Sequence, residues 1–289
     1  MSDQKTTIDL HIHTVVSDGT DRPEELLPKI REKGIGLFSV TDHDDIKTCR
    51  VIRTLLKEND PRFLSGVEFS CRDAHGRYHI LGYGYDDQAE SMHRIVKKSH
   101  DLRMMTVQAR LDYLKEEFGF TFPAEEIREL LAMDNPGKPH IGKMMVRHGY
   151  AVNIGQAIHD YINGIRFPNQ FLKPDEAIRS ILDAGGIPVL AHPCYGDGDE
   201  IVLGDELEMR LKHTLDYGLQ GVEGFYSGFT DKLRNEVLGL AKKYSLYVTA
   251  GSDYHGENKL VCLGDTGLDQ ACEIPEGMTR FLEAAADKI

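Results

Sequence analysis

The chain changes hydrophobic period several times, and each change marks an element. In IDLHIHT, residues 8–14, apolar and polar positions alternate as in a half-buried strand, which puts His11 and His13 on one face and Ile8, Leu10, Ile12 and Thr14 on the other. After the turn SDGTD, residues 23–33 carry Leu26, Leu27 and Ile30 at helical spacing, with Pro23 in a first turn that tolerates it and Gly34 as the stop. GLFSVTDHDD, residues 36–45, predicts a second strand ending in a polar cluster, followed by a helix over about 46–58 and a third strand, RFLSGVEFS, ending near Ser70. The polar connection RDAHGR then leads into YHILGYGYD, a hairpin partner for the third strand.

From residue 88 to 170 the strand period disappears. Helical patterns run over 92–118, 123–133, 140–148 and 155–163, which predicts an inserted helical domain over 88–170 that caps the substrate. Strand and helix alternate again from a helix over 174–184, through the strand GIPVLAH, a helix over 203–217 and the strand GVEGFY. A helix over 231–244, the strand LYVTAGSD and a last helix from about Pro275 complete the chain. About seven strands separated by helices predict an α/β fold, a distorted or incomplete parallel (β/α) barrel made by residues 1–87 and 171–289. Chemistry in such a fold gathers at the C-terminal ends of the strands.

A length of 289 residues with 40% hydrophobic and 28% charged content suits an ordinary soluble protein with a sizeable core. The formal charge of -13 and a pI near 5.4 oppose nonspecific binding to long nucleic acid and to anionic membranes, but leave room for a small anionic substrate held by metal ions. No apolar run approaches the roughly 18 residues of a membrane span, and the polar start MSDQKTT lacks the apolar stretch of a signal peptide, so a cytoplasmic protein is expected. The five cysteines include no C-x-x-C pair, so neither a disulfide framework nor a thiolate zinc site is expected.

What the strand ends carry changes the picture most. His11 and His13 end the first strand, with Asp18 in the loop behind them; His43 ends the second in TDHDD; Glu68 lies on the third in GVEFS; His79 opens the next. His192 ends the strand after the insertion, in LAHP, and Asp253 and His255 end the last, in GSDYH. These six imidazoles and three carboxylates form a mixed nitrogen and oxygen set suited to Mn²⁺, Fe²⁺ or Zn²⁺ and unsuited to Ca²⁺ or Mg²⁺ alone. One catalytic ion takes about three or four protein ligands, so a set of this size predicts two or three ions sharing a bridging carboxylate. Asp42 and Asp44, beside His43, are read as partners that orient imidazoles. His75, His93, His100, His148, His159 and His213 fall in turns or on helices away from the strand ends and are read as surface or cap residues.

Taken in order, H-x-H near the N-terminus, TDHD, GVE, an internal His, AHP and GSDxH resemble the PHP (polymerase and histidinol phosphatase) family of metal-dependent phosphoesterases, over about residues 6–256 apart from the insertion. The insertion makes the chain most similar to the branch that removes the 3′-phosphate from nucleoside 3′,5′-bisphosphates and trims short RNA from its 5′ end. The resemblance implies a distorted (β/α)7 barrel with a trinuclear site. It implies one ion on His11, His13, Glu68 and Asp253, with Glu68 bridging to a second ion on His79 and His192, and a third on Asp18, His43 and His255. Three divalent ions against three carboxylates leave a local charge of roughly +3, which draws in a phosphate. A water shared by two ions would ionise near neutrality and attack phosphorus in line. Asp18 or His255, through a bound water, is the expected proton donor to the leaving oxygen, so both are also expected to be catalytic.

Substrate selection is expected from the insertion and from aromatic residues at strand ends. GKPHIGKMMVRHGY offers Lys138, His140, Lys143 and Arg147, with Lys143 and Arg147 spaced on a helix so that they can share a face with His140. His140 stands where the family has an HI element, but Lys138 replaces the Arg usual before it, a point charge in place of a fork. Tyr195, Tyr226 and Phe229 are placed to stack a base, and after AHP the chain reads Cys194, Tyr195, Gly196 where relatives carry an Arg. The expected partner is a small phosphorylated substrate, first of all a nucleotide, with neither long duplex nucleic acid nor a membrane. One rival is an amidohydrolase-like enzyme for C–N bonds, which shares H-x-H and a late Asp but uses a bridging Lys where this chain has Glu68. The others are a phosphatase for a sugar or amino-alcohol phosphate, and a metal-dependent binding module without activity.

Overall fold

The computed structural model of the chain describes residues 7–165, 171–196, 200–271 and 273–289. Thr7–Asp9 (β1) leads through a loop to the helix Pro23–Glu32 (α1), then Ile35–Phe38 (β2) and Lys47–Leu55 (α2). α1 starts on Pro23, turns Leu26, Leu27 and Ile30 inward and stops before Gly34, whose φ of 66° costs a glycine nothing. Arg62–Phe63 (β3), Gly66–Asp73 (β4) and Gly76–Tyr83 (β5) follow. Next come helices only: Glu90–Phe118 (α3), Ala124–Leu131 (α4), Lys138–Arg147 (α5) and Ile154–Gln156 (α6), the last continuing as a π-type turn at Ala157–Tyr161 and a 3-10 turn at Ile162–Gly164. Alternation returns with Pro174–Asp183 (α7), Ile187–Leu190 (β6), Gly204–Leu215 (α8), Gly221–Tyr226 (β7), Asp231–Lys243 (α9), Tyr247–Gly251 (β8) and Glu276–Ala285 (α10).

This is an α/β fold with two sheets, β1-β2-β3 and β4-β5-β6-β7-β8, and no closed barrel among the described residues. The expected hairpin interrupts the parallel order. Only Ala74 and His75 join β4 to β5, too short a link for a crossover, so the two run antiparallel, and β5 meets β6 antiparallel as well. β1 to β3 and β6 to β8 are parallel. The third strand expected from RFLSGVEFS is two strands in different sheets. Leu64 N–H still donates to Phe38 O at 3.0 Å, and the chain then crosses to the second sheet at Gly66. A Cβ on Gly66 would stand 2.1 Å from Ser39 Oγ and 2.9 Å from Val40 O, so the crossing needs a glycine.

β1 is shorter than the alternation of residues 8–14 suggests, but the segment beyond it is held on both flanks. Ser39 N–H donates to Asp9 O (3.0 Å) and Thr41 N–H to Ile12 O (2.8 Å) on one side. On the other, Leu10 N–H donates to Ala250 O (2.9 Å), Asp253 N–H to His11 O (2.8 Å) and His13 N–H to Tyr254 O (2.8 Å). Isolated bridges Ile12–Tyr254 and His43–Glu68 tie the two sheets at these seams.

Ile30, Ile52, Ile181, Leu211 and Val237 from the helices pack with Phe38, Phe69 and Phe225 in the main core. The helical stretch has its own, built from Val107, Leu111, Leu114, Leu130, Ile141 and Met145. The end of the expected 88–170 stretch, residues 166–170, lies outside the described residues, as does Cys272. Cys49, Cys71 and Cys194 are buried free thiols and Cys262 an exposed one. Among the described residues no helix is long and apolar enough to cross a membrane. Gly66→Ala is expected to lower stability by at least about 1–3 kcal/mol, the cost of overpacking, read as a lower urea midpoint at unchanged slope. An unmoved midpoint would mean that the crossing does not depend on close approach.

Candidate metal centre

The doubly flanked segment 10–13 aims His11 and His13 inward from the meeting point of the two sheets, and both are fully buried. Glu68, the third residue of β4, faces them. Its Oε2 lies 3.2 Å from His11 Nε2, 3.2 Å from His13 Nε2 and 3.2 Å from His43 Nδ1. Its Oε1 lies 2.7 Å from His79 Nδ1 on β5 and 3.2 Å from His192 Nε2, just beyond β6. Asp253, after β8, puts Oδ1 3.5 Å from His11 Nε2 and 3.3 Å from His13 Nε2. Asp18 closes the far side, with Oδ1 3.2 Å from His255 Nε2 and Oδ2 3.9 Å from His43 Nε2. All nine residues expected as ligands therefore gather around one point of the fold.

Three groups within this cluster have the spacing to hold a cation: His11, His13 and Asp253; His43, Glu68 and His79; and His13, Asp18, His43 and His255. They overlap more than the expected partition, since His13 and His43 each serve two groups. The donors fit divalent ions. His11 Nε2 and His13 Nε2 stand 3.1 Å apart and converge on the same carboxylates, and the buried Asp18 Oδ1 has no hydrogen-bond partner. Burial pulls the His11 and His13 imidazoles down, yet the surrounding carboxylates override it. Glu223, Glu68 and Asp253 hold His11 well above its ordinary value, and Asp253, Glu68 and Asp18 bring His13 up to about 9. Burial likewise works against Glu68 and Asp253 as anions, and the imidazoles around each hold both carboxyls well below the usual range. The field inside the cluster thus favours cations, as protons or as metal.

Asp42 and Asp44 do not touch imidazoles, contrary to expectation. Asp42 accepts hydrogen bonds from Thr14, Ser17 and Thr48 and so braces the loop; only Ser17 Oγ, 3.3 Å from His13 Nδ1, passes the effect on. Asp44, at a φ of 56°, accepts from Ser70 N–H and pairs with Arg103 of α3. The outlying histidines pair elsewhere, as His213 does with Asp73 (3.0 Å) and His148 with Glu126 (3.0 Å).

A cleft of about 760 Å³ opens onto Asp18 and His43, between β4, β5 and the helical stretch. Lys138 lines it, its Nζ 2.6 Å from Asn163 Oδ1. His140, Lys143 and Arg147 are not in the lining: His140 Nδ1 accepts Gly137 N–H at the start of α5, Lys143 is exposed, and Arg147 pairs with Glu126 at 3.2 Å on the surface. Tyr195 donates to Gly228 O (2.6 Å) and stacks on Phe229 at 5.9 Å, while Tyr226 donates to Asp253 Oδ2 at 3.0 Å, so Tyr226 holds a carboxylate where base stacking was expected.

Several residues at the site escaped the motif reading. Arg72, Arg77, Arg103 and Arg110 line the cleft, and burial, with Arg103 and Arg77 close by, draws the Arg110 guanidinium down to about 10. It stays charged at neutral pH, so the lining carries more positive than negative side chains. Lys259 pairs with Asp253. Glu223 on β7, fully buried, places Oε1 2.9 Å from His11 Nδ1 and accepts His192 N–H at 2.8 Å. Its one sequence signal is a charged residue inside the otherwise apolar run GVEGFY.

Residues 9–172 match the PHP domain family. The chain is similar to a phosphoribosyl 1,2-cyclic phosphate 1,2-diphosphodiesterase of Eggerthella lenta, at 28% identity over 256 residues, 86% of this chain and 94% of the relative. It is also similar to a 3′,5′-nucleoside bisphosphate phosphatase of Chromobacterium violaceum, at 27% over 259 residues, 86% of this chain and 87% of the relative. A solved structure from Bifidobacterium adolescentis, described provisionally as a metal-dependent phosphoesterase, shares the fold with a TM-score of 0.78 at 24% identity, over 97% of this chain and 96% of that one. The family match takes in more than half of the 289 residues, and the chain therefore belongs to the PHP domain family, as a metal-dependent phosphoesterase.

Proposed function

We propose that the enzyme removes the 3′-phosphate from nucleoside 3′,5′-bisphosphates, with trimming of short RNA from its 5′ end as a related activity. The observation that carries this reading is the cationic cleft: Arg77, Arg103, Arg110 and Lys138 line a space that begins at Asp18 and His43, so one anionic group can reach the centre while a second is held beyond it. The name of the Chromobacterium violaceum relative supports the same substrate class. In this reading the helical stretch is a capping domain on a distorted (β/α)7 barrel, and the protein works in the cytoplasm.

His11, His13, Glu68 and Asp253 would hold one divalent ion, Glu68, His79 and His192 a second, and Asp18, His43 and His255 a third, with Mn²⁺, Fe²⁺ and Zn²⁺ the compatible metals. Divalent cations held there supply Lewis acidity and lower the pKa of water. The remaining work belongs to the chain. Glu68, with imidazoles on both oxygens, keeps the two sides of the centre in register, and the arginines of the cleft orient the ester. Asp18 and His255, paired at 3.2 Å at the cleft end, would orient the bound water that hands a proton to the leaving oxygen.

A second reading, hydrolysis of a cyclic sugar phosphate, has one observation in its favour. Among the described residues the aromatic rings in the lining are His43 and Phe171, and Arg72 lies over the latter at 5.4 Å from its centre, which leaves little of their surface for a base to stack on. Phosphate release by Mn²⁺-loaded protein from nucleoside bisphosphates and nucleoside monophosphates, set beside ring opening of a ribose cyclic phosphate to its monoester followed by ³¹P NMR, decides between them. Bisphosphates are expected to give the highest kcat/KM; a faster cyclic ester would favour the second reading. Glu68→Ala should lose more than the roughly 10–100-fold typical of a residue that merely orients a ligand, and chelation should abolish activity until Mn²⁺ is restored. Arg110→Met should raise KM for a bisphosphate about 10–100-fold, the loss of one charge-assisted contact of about 1.5–3 kcal/mol, and leave small monoesters nearly unaffected. An equal effect on both substrates would place Arg110 outside the second phosphate's reach.

A further inference from the structure

Both oxygens of Glu223 are engaged, and its two partners lie on opposite sides of Glu68. Oε1 meets His11 Nδ1, while Oε2 accepts the backbone N–H of His192. His11 Nε2 then faces Glu68 Oε2 at 3.2 Å, and His192 Nε2 faces Glu68 Oε1 at 3.2 Å. The surroundings are built to allow this. Gly251 gives the room: a Cβ there would stand 2.2 Å from His11 Cβ and 2.5 Å from Glu223 Oε1. His192 has a φ of 27°, which side-chain-bearing residues seldom adopt, and its N–H is the one Glu223 holds. The His11 and His192 rings lie nearly parallel, 5.8 Å apart.

We propose that Glu223 is a positioning residue that fixes His11 in the Nδ1–H form and pins His192, so that one interior carboxylate sets the spacing of the ligands on the two sides of Glu68. The inference rests on the reading that His11 and His192 hold cations. A carboxylate can only accept, so the ring hydrogen of His11 must sit on Nδ1, which leaves the Nε2 lone pair for a cation. An amide in its place cannot satisfy both partners. If its oxygen accepts from His192, its nitrogen donates to His11 Nδ1 and drives the ring hydrogen onto Nε2. If it flips, two N–H groups confront each other at His192.

Glu223→Gln tests this by keeping the shape and reversing the hydrogen bonding. Titration calorimetry on chelator-stripped protein is expected to show Mn²⁺ binding weakened about 10–100-fold. In Zn²⁺-loaded, ¹⁵N-labelled wild-type protein the His11 Nδ1 hydrogen should appear as a protected ring resonance, and in E223Q it should vanish. Wild-type affinity together with an unchanged Nδ1 resonance in E223Q overturns the proposal. A wild-type protein that takes up no divalent ion overturns the reading of the centre instead, so the two failures are distinguishable. Should E223Q not fold, Glu223→Asp keeps the charge but is one methylene too short to reach both partners. It must also bind Mn²⁺ more weakly than wild type, and equal affinity sinks the proposal.

Discussion

A single interior carboxylate surrounded by imidazoles governs this structure. Glu68 is buried where no water can solvate its charge, and each of its oxygens faces nitrogen atoms of a different set of histidines. An anion so placed is tolerable only if cations stand close. Without metal the answer is protonation, and the high affinity of His11 and His13 for a proton reflects that need. With metal the same field holds divalent ions. A set of polar groups that demands external charge contributes little to packing, and its presence where the two sheets meet at the end of the cleft ties the fold to the chemistry.

The order of strands and helices, the β4–β5 hairpin and the strand-free stretch were legible because they follow from local periodicity. Gly66 was not, since the crossing it makes depends on which strand of the other sheet lies alongside, a fact of tertiary contact. The same limit applies at the site. His11, Glu68 and Asp253 announced themselves in motifs at strand ends, whereas Glu223 sits in mid-strand, where a lone charge in an apolar run is its one mark in the sequence and complete burial its mark in the fold. Lys143 and Arg147 show a further limit: helical spacing says that two side chains share a face, and nothing about where that face looks. Arg103 and Arg110 come from the middle of a long helix that carries polar residues on most sides, so the turn of that helix toward the cleft left no trace in the pattern.

The helical stretch is joined to the centre by more than proximity. Arg103 pairs with Asp44 and Asn135 donates to His43 O, both on the loop that carries His43, and Lys47, which opens α2 just beyond it, pairs with Asp134 at 2.6 Å. The partners of these contacts flank the cleft, so whatever enters there meets the same side chains that steady an imidazole of the centre. Recognition of the ester and placement of His43 therefore share one set of contacts.

The seam between residues 9–13 and 250–254 has a consequence for how the molecule is made. The backbone hydrogen bonds of residues 10–13 cannot be completed until residues 250–254 have left the ribosome, because Ala250 O and Tyr254 O accept from Leu10 and His13 and Asp253 N–H donates to His11 O. Such long-range closure is slow by nature. Until residues 250–254 have emerged, the nascent polypeptide lacks this seam and, with it, the Asp253 carboxylate beside His11 and His13.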